Sequence, residues 1–136
     1  MKILVGYDGS NEAGRALDWA ANLAKKLDGS SVTVISIAPT LEAAPRIPDA
    51  VDPTSDVELH RTQAEKAVDK LTKAGVEAEF IVRAGNPAEE ILNAVEEGYD
   101  VAIIGHKGIS SARRFLMGSV SERVVRHATR PVLVIP

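Results

Sequence analysis

Short β-branched runs alternate with amphipathic helical patterns along the whole chain, and that alternation leaves few folds open. The apolar runs are KILVGY (2–7), SVTVISIA (31–38), EAEFIVRA (77–84), DVAIIG (100–105) and PVLVI (131–135). Between the first two, NEAGRALDWAANLAKKL sets Ala13, Ala16, Leu17, Ala20, Leu23, Ala24 and Leu27 three and four apart, the spacing of one helix face. TSDVELHRTQAEKAVDKLTKAG does the same with Val57, Ala64, Ala67, Val68 and Leu71, and ends at Gly75, a residue suited to a helix C-terminus. NPAEEILNAVEEG opens with Asn86 as cap and Pro87 at the first helical position. A fourth helix is predicted from Ser119 to about His127.

Strand–helix alternation with right-handed crossovers gives an α/β, three-layer, doubly wound sandwich around a five-stranded parallel sheet with about four helices. The simplest strand order is 3-2-1-4-5. The runs at 100–105 and 131–135 are almost wholly apolar, as strands covered on both faces should be. A chain of 136 residues is one domain by length, 1–136, large enough to bury a core.

In such sheets ligands gather at the carboxyl ends of strands where the winding reverses, here between the first and fourth strands. Those ends carry GYDGS and GHKG, two glycine-rich turns facing one crevice. One further segment stands apart. PTLEAAPRIPDAVDP (39–53) leaves the second strand with four of the seven prolines and no period, and reads as a flexible connector or a lid over the crevice.

The long segment GHKGISSARRFLMGSVSE (105–122) carries the chemistry. A polyphosphate needs inward-pointing amides, little side-chain obstruction and a helix N-terminus. Gly105 and Gly108 let the backbone approach closely, and Gly118 and Ser119 open the fourth helix. Ser119, Val120 and Ser121 are first in line to offer amides and hydroxyls. Lys107, Ser110, Ser111, Arg113 and Arg114 lie on the loop between and could wrap an anion. SVSE also reads as a capping box, with Ser119 accepting from the amide of Glu122; that reading would explain the serine without a ligand.

Charge agrees with a small anionic ligand. From residue 105 onward six basic residues face one acidic one, a local +5, while the preceding part carries −8. The field is too confined for a nucleic-acid surface, and Arg123, Arg126 and Arg130 read as solvated helix arginines. No Walker A run occurs, GYDGSNEAG departs from the dinucleotide fingerprint, and Ala84 and Gly85 stand where a phosphate receiver would end its third strand in aspartate. There are no cysteines, and His60, His106 and His127 are too scattered for a histidine metal motif. No run approaches the roughly 20 apolar residues of a membrane helix, and MKILVGYDGS does not read as a secretory signal. A cytoplasmic location, with neither membrane nor nucleic acid as partner, is the expectation.

The spacing G-x2-G-x9-G-[ST], seen as Gly105, Gly108, Gly118 and Ser119, resembles the ATP-binding signature of the universal stress protein family. The KILVGYDGS opening, the aspartate after the first strand, the closing RPVLVIP and the length of one domain extend the resemblance over the whole chain. It implies an adenine-nucleotide alpha-hydrolase-like fold that binds ATP with Mg²⁺ or Mn²⁺. By the same resemblance Asp8 stands in the ribose- and metal-facing region, its alternative being a plain turn aspartate. Gly6 leaves room for the base, and the backbone of Ile37 reads the adenine edge. Gly105, His106, Lys107, Gly108, Ile109, Ser110, Ser111, Gly118, Ser119, Val120 and Ser121 supply phosphate and ribose contacts. The family also pairs through its last strand, so a homodimer through 131–135 is expected. The function implied is a nucleotide-dependent regulatory switch in a stress response. A slow ATPase or self-phosphorylating protein, and a nucleotide-free dimeric scaffold, are the alternatives. No general base stands out except Asp8 and His106, so robust turnover is not expected.

Overall fold

The computed structural model describes residues 1–40, 53–107 and 117–136, with backbone alone over 53–56. Five strands, β1 (Lys2–Gly6), β2 (Ser31–Pro39), β3 (Ala78–Gly85), β4 (Val101–Gly105) and β5 (Val132–Ile135), form one parallel sheet in the order β3-β2-β1-β4-β5. Four helices, α1 (Asn11–Lys26), α2 (Pro53–Lys73), α3 (Pro87–Val95) and α4 (Ser119–His127), complete the doubly wound sandwich. Most of the proline-rich stretch 39–53 lies outside the described residues: Pro39 ends β2 and Pro53 begins α2.

Side chains alternate across the sheet, so each strand feeds two cores. On one side Ile3, Val5, Val32, Val34 and Ile103 pack with Ala16, Leu17 and Ala20 of α1 and Ala67 and Leu71 of α2. On the other, Leu4, Ile35, Ile37, Ala102 and Ile104 pack with Ile91 and Ala94 of α3 and Val124 of α4. Each fully buried aliphatic side chain contributes about 1.5–3 kcal/mol of hydrophobic stabilisation. β4, the fourth strand in sequence, is buried along its first four residues, which is why it reads as a continuous apolar run. β5 is equally apolar for a different reason. It is the outermost strand, only Ile135 is buried, and Leu133 is exposed.

The helix ends follow local chemistry. Ser10 caps α1 by accepting from the Ala13 amide at 3.1 Å, and Asn86 caps α3 by accepting from the Glu89 amide at 3.1 Å. After α2 the amide of Val76 returns to the Leu71 carbonyl at 3.0 Å, a closure that needs the positive φ of 83° at Gly75. α4 departs from expectation. Its N-cap is Gly118, no side chain among the described residues caps it, and Glu122 pairs with Arg126 at 2.8 Å, so SVSE forms no capping box. The helix begins one residue too early for Ser119 to occupy the cap position.

Candidate functional site

β1 lies between β2 and β4, so the chain winds away in both directions from its carboxyl end. The last backbone rung toward β2 is Tyr7 N–H to Ile35 O, at 3.0 Å. Ile37, two residues further along β2, turns its own N–H and C=O to the same side, by the alternation of a strand. β1 has ended there, so the Ile37 backbone borders the mouth of the switch point.

The β1–α1 turn is built by Asp8. Its Oδ1 accepts from the Ser10 amide at 2.9 Å across Gly9, whose φ of 81° is the left-handed region that favours glycine. The turn-aspartate role therefore holds for Asp8, and it occupies only one carboxylate oxygen. On the other side of the crevice, His106 N–H donates to Ile135 O at 2.6 Å and Gly118 N–H donates to His106 O at 2.9 Å. His106 and Gly118 are thus joined directly, which sets the start of α4 at the end of β4. Lys107 is half-buried beside His106. Gly108, Ile109, Ser110 and Ser111, with Arg113 and Arg114, lie outside the described residues.

Two glycines owe their identity to packing. A Cβ on Gly105 would stand 2.8 Å from Glu12 Cβ and 3.0 Å from the Glu12 carbonyl carbon, so α1 closes directly on this strand end. A Cβ on Gly6 would stand 3.2 Å from Ile104 Cγ2 and 3.4 Å from Ile91 Cδ1. The third, Gly118, has φ −62° and ψ 154°, extended backbone open to any residue.

At α4 the first intrahelical bond is Glu122 N–H to Gly118 O at 2.9 Å. The amides of Ser119, Val120 and Ser121 precede it, and Gly118 has no side chain with which to take them. α1 and α3 are capped by side chains; at α4 no side chain among the described residues takes the first amides, and the positive end of the helix dipole lies behind them. The three residues differ in exposure. Ser119 is exposed and Val120 half-buried, while Ser121 is buried and donates its hydroxyl to Gly105 O at 2.6 Å. Of the basic residues nearby, Arg123 pairs with Glu89 at 2.7 Å and Arg126 with Glu122.

Sequence reasoning missed the polar side of α2. His60 Nδ1 lies 2.9 Å from the buried Ser36 Oγ, in the second half of β2. Gln63, one turn on, borders Gly9, with its amide nitrogen 3.2 Å from where a Cβ would stand. His60 and Gln63 therefore bring α2 against the second half of β2 and the turn that follows β1. The available signal was a polar pair at i, i+3 beside the apolar stripe of α2. Among the described residues no group of three or more His, Asp or Glu side chains could hold a metal ion, and no helix is long and apolar enough to cross a membrane.

The comparisons with known proteins agree with this geometry. A family model described as "Universal stress protein family" matches residues 1–136. The chain belongs to the universal stress protein family. Universal stress protein YxiE of Bacillus subtilis is 34% identical over 146 residues, covering 98% of this chain and 97% of the relative. Universal stress protein MJ0531 of Methanocaldococcus jannaschii is 30% identical, covering 98% and 81%. Among solved structures, that of "hypothetical protein MJ0577" superposes with a TM-score of 0.80 at 29% identity, over 98% of this chain and 94% of that one. The universal stress protein of Archaeoglobus fulgidus in complex with dAMP gives 0.76 at 26% identity, over 100% and 98%. The sheet order and four helices of this universal stress protein are thus the α/β nucleotide-hydrolase-like fold of its neighbours.

Proposed function

We propose that this universal stress protein binds an adenine nucleotide, ATP in the first instance, at the crevice between the ends of β1 and β4, and acts as a nucleotide-dependent regulatory switch in a stress response. The observation that carries the reading is the start of α4, which no described side chain caps and which the His106–Gly118 bond holds against the end of β4. Three amides at a helix N-terminus suit phosphate oxygens. The dAMP complex of the Archaeoglobus fulgidus protein supports the ligand class.

In this reading the amides of Ser119, Val120 and Ser121 and the hydroxyl of Ser119 receive the phosphates. Gly105, His106, Lys107 and the loop residues Gly108, Ile109, Ser110 and Ser111 line the remainder of the phosphate and ribose site. The Ile37 backbone meets the adenine edge, Gly118 keeps bulk away from the nucleotide, and Gly6 lets the end of β1 close on Ile104 and Ile91 beneath the base. The second oxygen of Asp8 would face Mg²⁺ or Mn²⁺, since its first is held by Ser10. The cation would otherwise be carried by the nucleotide's own phosphates, the usual habit of Mg²⁺. It would supply charge neutralisation there. Two copies would join by antiparallel pairing of β5, which removes an exposed strand edge.

Isothermal titration calorimetry of the folded protein with Mg·ATP tests the site. Saturable binding is expected, weakened at least tenfold in Gly118→Val, whose branched side chain crowds the first amides of α4 without straining the backbone. Absence of saturable heat at millimolar ATP overturns the reading. Mass spectrometry of protein taken from its host identifies which of ATP, ADP and AMP it carries.

A further inference from the structure

β5 ends the sheet with a row of backbone groups facing outward, and exposed apolar side chains flank it in both helical layers. In the α1 layer Trp19 is 56% exposed and Leu133, which shares the α1 face of β5 with Ile135, is 39% exposed; in the α4 layer Val125 is 47% exposed. Their directions follow from ion pairs on either side. Asp18 meets Lys70 of α2 at 2.8 Å, so that side of α1 faces α2. Turning away from it at 3.6 residues per turn, one meets Arg15 after about 60°, Trp19 after about 100° and Leu23 after about 140°. Arg15 Nε already reaches Pro136 O, at the end of β5, at 2.6 Å. Trp19 therefore lies on the side of α1 that overlooks the free edge. In α4, Val124 faces the core and Arg123 meets Glu89 of α3, so Val125 takes the opposite side, again over the edge.

Height along the strand agrees. Glu12 sits against Gly105, which is in register with Ile135. Seven residues down α1, at ~1.5 Å each, bring Trp19 about 10 Å below that level. At ~3.3 Å per strand residue this is alongside Val132 and Leu133.

Joining a second β5 antiparallel puts the two-fold axis normal to the sheet, so α1 meets its own copy. α1 packs chiefly over β4 and β1. With strands ~4.8 Å apart, a helix above β4 lies about 7 Å from that axis, and the two α1 axes stand about 14 Å apart. This exceeds the 8–10 Å of directly packed helices and leaves a gap of large-side-chain width. Area makes the same demand. A stable dimer buries about 800 Å² per partner, far more than four strand residues supply, whereas a tryptophan alone can bury about 150–250 Å².

We infer that Trp19 is the anchor of a two-fold homodimer, its side chain filling the space between the two α1 helices above the joined β5 strands, with a second copy of this chain as the occupant of the surface. The inference rests on the β5 pairing proposed above and adds the residue that makes such pairing stable.

The test uses the full chain, whose single tryptophan is the probe. Sedimentation equilibrium should show a dimer. On dilution through its dissociation constant, tryptophan emission should move to longer wavelength, and acrylamide quenching should rise, in step with dissociation. Trp19→Ala should weaken the dimer about 30-fold or more, the loss expected of an interface anchor, with Trp19→Phe between it and the parent. Thermal unfolding of the monomer should hardly change, because the side chain is exposed within one chain. A dimer that Leu133→Asp breaks but Trp19→Ala leaves at full affinity, with tryptophan quenched freely in both states, overturns the anchor and keeps the β5 pairing. A parent protein that stays monomeric at hundreds of micromolar, or a dimer indifferent to Leu133→Asp, overturns the pairing itself and the anchor with it.

Discussion

Ser121 donates its hydroxyl to the carbonyl of Gly105 at 2.6 Å, fastening the third residue of α4 to the last residue of β4. The bond is partly buried and joins residues 16 apart in sequence, so it fixes where the open amides of α4 point. Ser121→Ala leaves that carbonyl without its partner and should cost about 1–2 kcal/mol of unfolding free energy. Urea denaturation of the monomer measures it. An unchanged midpoint and slope would show that α4 is held by Val124 and the His106–Gly118 bond alone.

Gly105 and Gly14 should respond to alanine with opposite signs. At Gly105 the new methyl meets the α1 backbone at 3.0 Å, a contact that cannot swing aside, and overpacking of this kind costs about 1–3 kcal/mol. At Gly14, inside α1, a Cβ meets nothing within 4 Å, and Gly→Ala in a helix interior stabilises by about 0.5–1 kcal/mol. Paired thermal melts decide it. Equal shifts in the two variants would mean that the α1–β4 contact is loose.

These glycines mark where sequence reasoning stops. Alternation of runs points to a doubly wound sandwich without fixing its strand order, the simplest order being the one found, and Asn86-Pro87 announces the start of α3 through its own local chemistry. The G-x2-G-x9-G-[ST] spacing located the segment between β4 and α4, yet could not say why Gly105 is glycine, because the reason is Glu12, distant in sequence. The capping-box pattern misled for a related cause. Serine and glutamate at i, i+3 satisfy the pattern, but the His106–Gly118 bond sets Gly118 as the cap and moves Ser119 inside the helix. The Ser36–His60 bond joins β2 to α2 across 24 residues and follows no motif at all.

That bond yields a third prediction. Ser36 is fully buried within β2 and has His60 as its partner. Ser36→Ala should destabilise by about 1 kcal/mol, and a double-mutant cycle with His60→Phe should return a coupling of similar size. Additive losses, measured by chemical denaturation, would show that the two side chains merely pack together.

Asp8 has a turn to hold and, in the proposed function, a cation to face, and two substitutions separate these roles. Asn keeps an oxygen that can accept from the Ser10 amide; Ala does not. Asp8→Asn should therefore melt within about 0.5 kcal/mol of the parent, while Asp8→Ala loses about 1 kcal/mol with the turn bond. With nucleotide the order changes. Ligand at a hundred times its dissociation constant stabilises a protein by about 2.7 kcal/mol, so Mg·ATP should raise the parent's melting temperature clearly. Asp8→Asn should forfeit much of that rise, because an amide cannot replace the charge a carboxylate offers to the cation, while ATP with EDTA should stabilise Asp8→Asn and parent alike. If Asp8→Asn responds to Mg·ATP as the parent does, Asp8 serves the turn alone, and the cation depends on the phosphates without help from the protein.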